Sequence, residues 1–168
     1  LLSGRPSNEH GLLLNRREMV PGIADIGTWM REQAGYESWY AGKWHILGRR
    51  PHECFDIINR GTIFGEASDL SVIRSFEGRL AHHDGSNPFM AVVSLLNPHD
   101  IAEWVSLEWA DATASSMDLD IAELPELPVN FQTTHREAAL HQQIRRRARL
   151  RDRWSEDKWR IYLWWYHR

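Results

Sequence analysis

Two successive units of helix, strand and polar loop predict an α/β domain with a mostly parallel sheet flanked by helices. In the first unit, Ile23, Ile26, Trp29 and Met30 recur at helical spacing between Ile23 and Ala34, and Tyr36 to Tyr40 follows as a short aromatic strand. In the second, Ser68 to His82 carries Leu70, Ile73, Phe76 and Leu80 on one helical face, and the apolar run from Pro88 to Leu96 suits a strand buried on both faces. Each strand leads into a polar loop, Lys43 to His45 after the first and Asn97 to Asp100 after the second. Ligands of open α/β sheets sit beyond the carboxyl ends of the strands, so the two loops are expected to open onto one pocket.

The remaining elements follow from local punctuation. Leu1 and Leu2 read as the last turn of a helix stopped by Gly4, and Arg5 to Gly22 reads as loop, marked by Pro6, Gly11, Pro21 and Gly22. Gly35 ends the first helix, and Gly42 lets the chain turn behind the first strand. Pro51 to Gly65 is irregular apart from a brief extended piece at Phe55 to Ile58, Ser68 suits an N-cap, and His83 to Asn87 is a turn cluster. Prolines in Leu124 to Pro128 forbid a long helix there. Thr134 to Arg153 reads as a basic helix, and Ser155 with the acids behind it starts a last helix that runs to the chain end.

A chain of 168 residues, 42% hydrophobic and 26% charged, supports one domain with a real core and is not a disordered composition. We read residues 1–168 as a single partial domain, truncated at both ends, because the chain opens without Met and stops inside a helical pattern. The net charge of −3 gives no overall attraction for nucleic acid. Charge is nevertheless segregated: Asp100 to Leu127 holds eight acids and no base, and Arg145 to Arg153 holds six arginines and one Asp. Such blocks are most often solvated faces. Cys54 stands alone, so no disulfide forms within the chain, and no apolar run reaches the length of a membrane span.

Chemistry-bearing side chains concentrate in the two strand-end loops. In an extended segment Lys43 and His45 leave on the same side and Trp44 on the other, which aims a cation and a titratable ring together beyond the strand. Taken alone, such a pair is most often a solvated loop feature, and His99 beside Pro98 most often caps a loop. His82 and His83 end a helix, where a cation suits the dipole; His10 shapes its loop; Trp44 packs; Asn97 and Asp100 order the loop around His99. His52, His135, His141 and His167 belong to no pattern.

A family resemblance changes the weight of these residues. Leu1-Leu2-Ser3-Gly4-Arg5 with His10-Gly11, Ala41-Gly42-Lys43-Trp44-His45 with Gly48, and Pro88-Phe89 through Val93-Ser94 to Asn97-Pro98-His99-Asp100 resemble, in order, segments of the sulfatases of the alkaline phosphatase superfamily. Leu127 to Phe131 and the Trp-rich helix near Trp159 and Tyr162 match weaker features. The resemblance implies a partial sulfatase-like fold, the middle of a catalytic domain. It also implies that the formylglycine nucleophile, in a Cys-x-Pro-Ser-Arg motif, lies upstream of Leu1, and that the ligands of a divalent cation, usually calcium, lie outside this segment. Cys54 has no such surroundings, and no Asp here is assigned to a metal.

By that resemblance Lys43 binds a sulfate oxygen, His45 hydrogen-bonds the formylglycine hydrate, and His99 supports the leaving oxygen as donor or acid. Lys43, His45 and His99 are thus the implied catalytic residues, Lys43 and His99 also the substrate-binding ones. The implied substrate is a sulfated small molecule or sulfated carbohydrate, with no nucleic acid partner; family members are often exported to the periplasm or secreted. Two alternatives stand beside this reading: a phosphate or phosphonate ester hydrolase of the same superfamily, and a non-enzymatic module that binds a polyanion through the Arg-rich helix with Trp154 and Trp159.

Overall fold

The computed structural model describes residues 2–61, 65–101, 119–131, 138–148 and 154–167. The chain divides into two compact units, Leu1–Asn97 and Pro98–Arg168. In the first, helix α1 (Ser7–His10) and helix α2 (Ile26–Gln33) precede strand β1 (Glu37–Gly42). Helix α3 (Pro51–Cys54), strand β2 (Asp56–Asn59), helix α4 (Gly65–Ala81) and strand β3 (Phe89–Ser94) complete it. The sheet has the order β2-β1-β3 and both pairings are parallel, as the helix–strand alternation predicts.

Strand β1 is the centre. From Ser38 to Gly42 every residue is buried, and Glu37 to Gly42 pair without a shift against Phe89 to Ser94. The strand therefore runs two residues past Tyr40. Successive side chains alternate across it. Trp39, fully buried, stacks on Phe89 with centroids 4.4 Å apart and lies under the Arg79 guanidinium of α4 at 4.5 Å. Tyr40 joins Cys54 and Phe55, with Trp44 and Ile57 packed against that cluster. Two adjacent aromatic residues thus anchor opposite layers of one sandwich.

Strand β3 departs from the expectation of burial on both faces. Its residues are half-buried apart from Val93, which is 38% exposed, and the strand lies at an edge of the described sheet. Helix α2 begins at Ile26, three residues later than the spacing predicts, because Asp25 caps it: its carboxylate accepts from the Thr28 N–H at 2.8 Å and from the Thr28 hydroxyl at 3.1 Å. Ile26 and Trp29 are exposed, and Gly27 is the buried position, against α3 and Phe55. Helix α4 begins before Ser68; Leu70 and Leu80 face solvent, whereas Val72 and Ser68 are buried. The segment read as irregular contains α3, and the brief strand falls one residue later than read. The loop from Arg5 contains α1, and the Leu12 N–H donates to His10 Nδ1 at 3.2 Å, which gives His10 its loop-shaping part.

In the second unit a 3-10 turn (Ile121–Glu123), helix α5 (Ala139–Ala148) and helix α6 (Glu156–Tyr166) are described. Ser155 caps α6 by accepting from the Lys158 N–H at 3.2 Å, as its sequence signature indicates. Arg160 reaches back from α6 to donate to the Leu124 and Pro125 carbonyls at 2.7 and 3.1 Å. Phe131 meets Trp159 edge-on, and Trp154 packs on Trp159 and Tyr162. The proline segment is thereby a fixed strap under α6. Most of the acidic stretch, and Arg149, Arg151 and Arg153 of the basic run, lie outside the described residues.

Two glycine substitutions separate close approach from helix propensity. An added Cβ at Gly27 would stand 2.5 Å from the Cys54 carbonyl oxygen and 2.6 Å from the Phe55 ring, whereas at Gly78 in α4 it meets nothing within 4 Å. Gly27→Ala is expected to lower unfolding free energy by about 2 kcal/mol or more, and Gly78→Ala to raise it by about 0.5–1 kcal/mol. Urea denaturation of the two variants checks the opposite signs; a stabilised Gly27→Ala would contradict the packing.

Candidate functional site

The carboxyl end of β1 is closed by two backbone contacts. Gly42 is the last paired residue, at φ +110°, and a Cβ there would lie 1.9 Å from the Ser94 carbonyl oxygen. The next N–H, that of Lys43, donates to the same Ser94 oxygen at 2.9 Å. The Tyr40 hydroxyl donates to the Lys43 carbonyl oxygen, and burial pushes that hydroxyl's pKa up. Lys43 is thus held by its backbone where β1 and β3 end side by side. Connections leave β1 toward β2 on one side and return to β3 on the other, which makes this the switch point of the sheet.

Beyond Lys43 the loop is pinned at Arg49. Its guanidinium donates to Asp25 at 2.6 Å and to the Ile23 carbonyl at 2.7 Å, and its own carbonyl accepts from the Trp44 indole N–H at 2.8 Å. Asp25 is only 7% exposed and Arg49 only partly exposed, so this ion pair is screened less than a surface pair. The Met19 N–H also donates to the Leu47 carbonyl at 2.8 Å, and Met19 is buried. Trp44 packs edge-on against Tyr40 and Phe55, as a Trp read as structural should.

The residues singled out from sequence occupy distinct settings. Lys43 is half-buried just past β1, and His45 is exposed. His45 lines a cavity of about 180 Å³ with Leu12, Leu13, Leu14, Asn15, Arg17 and Leu47. The segment from Lys43 to Ile46 is not strand, so alternation no longer dictates which way its side chains leave. His99 belongs to the second unit, in the turn closed by the Ile101 N–H on the Pro98 carbonyl at 3.2 Å. It is 66% exposed, and its Nδ1 stands 3.6 Å from Oδ1 of buried Asp100, a contact that becomes ionic when His99 is protonated. That proximity fits the reading of Asp100 as the residue that orders this loop.

Sequence reasoning passed over Asp69. From α4 its two carboxylate oxygens accept the Leu96 and Asn97 N–H groups, each at 2.9 Å, and so hold the chain leaving β3. Adjacent unpaired N–H groups after a strand and an acid one turn into a preceding helix are the available signal, but the contact spans 27 and 28 residues. Also passed over are Arg50, His52 and Arg60, which with Tyr40, Gly42, Trp44, Pro51 and Ile57 line a cavity of about 510 Å³. His82 Nδ1 lies 2.8 Å from the Gly78 carbonyl at the end of α4, the helix-terminal setting read for it. His83 instead meets the stacked Trp39 and Phe89 rings edge-on, with Nε2 3.8 Å from Glu37.

Cys54 is buried, and burial, followed by the charge of Asp25, raises its thiol pKa to about 11. It is an inert core thiol rather than a nucleophile. Among the described residues, no group of three or more His, Cys, Asp or Glu side chains is placed to hold a metal ion. Among them, too, no helix is long and apolar enough to cross a membrane. Comparison with protein-family models, with curated proteins and with solved structures finds no match to the chain.

Two measurements probe this arrangement. Asp25→Ala removes the cap of α2 and leaves the Arg49 guanidinium without its carboxylate, and is expected to cost about 3 kcal/mol in urea unfolding; a loss below about 0.5 kcal/mol would contradict the anchoring role. The raised pKa of Cys54 means that folding favours its protonated form. That contribution to stability is complete below the thiol's unfolded pKa of about 8.5 and is lost as pH rises through the folded value. Iodoacetamide at about pH 8.5 should modify Cys54 in the folded chain about a hundredfold more slowly than in the urea-unfolded chain. Equal rates would contradict the burial.

Proposed function

We propose that this chain is the middle portion of a sulfuric ester hydrolase with a sulfatase-like fold, acting on sulfate monoesters of small molecules or carbohydrates. The observation that carries the reading is the location of Lys43 at the carboxyl end of the central parallel strand, beside the end of β3, where α/β sheets hold anionic ligands. The order of Gly42-Lys43-Trp44-His45 and Asn97-Pro98-His99 along the chain supports it. A sulfate ester carries one negative charge and gathers more on the bridging oxygen as the sulfur–oxygen bond breaks. Fixed cations and donors are therefore what its hydrolysis requires.

In this reading Lys43 places its ammonium against a non-bridging sulfate oxygen, a point charge on a fixed backbone. His45, which is exposed, would hydrogen-bond the formylglycine hydrate and assist its collapse. His99 donates to the departing oxygen. A formylglycine nucleophile and a divalent cation, usually calcium, accompany these residues in the sulfatases; both are proposed to be supplied from outside this segment.

The reading predicts that Lys43→Ala in the intact protein lowers kcat/KM for an aryl sulfate by about 10²–10³-fold, the usual loss of one charge-stabilising donor. Parallel assays with the matched aryl phosphate fix the substrate class. Wild-type turnover in Lys43→Ala, or faster hydrolysis of the phosphate than of the sulfate, would overturn the assignment.

A further inference from the structure

The cavity of about 510 Å³ beside the Lys43 loop has a composition that the roles above do not use. Gly42 and Trp44, the two chain neighbours of Lys43, both line it, while Lys43 itself does not. Its apolar wall is Tyr40, Trp44 and Ile57; its polar lining is Arg50, His52 and Arg60, with no acid among them. Arg60 directly follows the last residue of β2 and Arg50 directly precedes α3, so backbone elements fix both attachment points. Among the described residues neither guanidinium is paired with a carboxylate, whereas Arg49, the neighbour of Arg50, is committed to Asp25. Glu53, the acid of α3, accepts from the Arg50 backbone N–H at 3.1 Å. It lines a separate cavity of about 570 Å³ together with Asp25, Glu32 and Arg49, so that acids there outnumber bases three to one. The two neighbouring cavities therefore carry opposite charge.

We propose that the Arg50–Arg60 cavity binds an aromatic ring that bears a carboxylate, and that this is the alcohol half of the sulfate ester. Its volume suits a small aromatic acid. Aromatic and aliphatic walls provide dispersion and edge contacts for a ring, and two arginines provide the planar forks that match a carboxylate. A neutral sugar would leave both guanidinium groups unanswered. That the ring is the leaving half rests on the hydrolase reading; that the cavity selects an aryl carboxylate does not.

The test has one arm for each statement. Titration of the chain, followed calorimetrically, compares 4-hydroxybenzoate with 4-hydroxybenzamide, which has the same ring and no charge. The acid is expected to bind at least about tenfold more tightly. Arg50→Gln and Arg60→Gln each reduce that preference, the double variant abolishes it, and Lys43→Ala leaves it intact. Both arginines are exposed, so the variants keep their fold, verified by an unchanged far-UV circular dichroism spectrum. Equal affinities, undetectable binding of the acid, or a preference that survives the double variant would overturn the cavity assignment. In the second arm, the intact protein is expected to hydrolyse 4-(sulfooxy)benzoate with a kcat/KM about tenfold above that for 4-(sulfooxy)benzamide, and the ratio falls toward one in the double variant. Selective binding without that kinetic preference would keep the cavity and overturn its assignment to the leaving half.

Discussion

The ion pair between Asp25 and Arg49 is the constraint on which the arrangement of the first unit rests. Asp25 divides its carboxylate between the start of α2 and the guanidinium, and Arg49 divides its guanidinium between Asp25 and the Ile23 carbonyl. Each charge is thus met by several partners, the condition under which a poorly solvated pair is favourable rather than costly. The planar fork of arginine makes the double contact available; a lysine would offer a single mobile charge. Because the Arg49 carbonyl also receives the Trp44 indole, the same residue that ties the loop to α2 fixes the ring following Lys43. Lys43 stands between Gly42, locked to Ser94, and Trp44, locked to Arg49.

The sheet explains why this fixed point lies where a ligand can reach it. With β1 central and both neighbours parallel, the chain leaves β1 toward β2 on one side and then crosses back to β3 on the other, and the carboxyl ends of β1 and β3 stay paired side by side. Trp39 and Tyr40 hold the layers on either side of that strand, one under Arg79 of α4 and the other against the Cys54–Phe55 cluster. Asp69 then clamps the chain leaving β3, so both sides of the switch point are held by helices rather than by loop contacts alone. Rigidity of this kind is what a site for a small anion needs, since charge stabilisation depends on groups already in place.

Local signals made much of this legible in sequence. Helix followed by strand, twice, indicated the parallel sheet, and Ser155 with its following acids indicated the cap of α6, because those patterns arise within a few residues. Features set by distant partners were not legible. The ion pair that ties Asp25, the cap of α2, to Arg49 joins residues 24 positions apart. The apolar run at β3 reads as a strand buried on both faces, but what covers those faces is set by elements distant in sequence, and its residues are only half-buried. Arg50, His52 and Arg60 form no motif; their common cavity exists because α3 and the end of β2 come together behind Tyr40. For the candidate site the loops were legible and their supports were not: the Gly42–Ser94 contact and the Asp69 clamp cross from one strand unit to the next.

In the proposed function the Lys43 loop is an anion site built on the sheet, and anions are not drawn to the chain through its basic stretch. Titration of the 15N-labelled chain with sodium sulfate, read as amide shifts against a sodium chloride control, tests it most directly. Shifts are expected to centre on Lys43, His45 and the residues leaving β3, and to be lost in Lys43→Ala. Shifts confined to Thr134 to Arg153, or unchanged by Lys43→Ala, would contradict it.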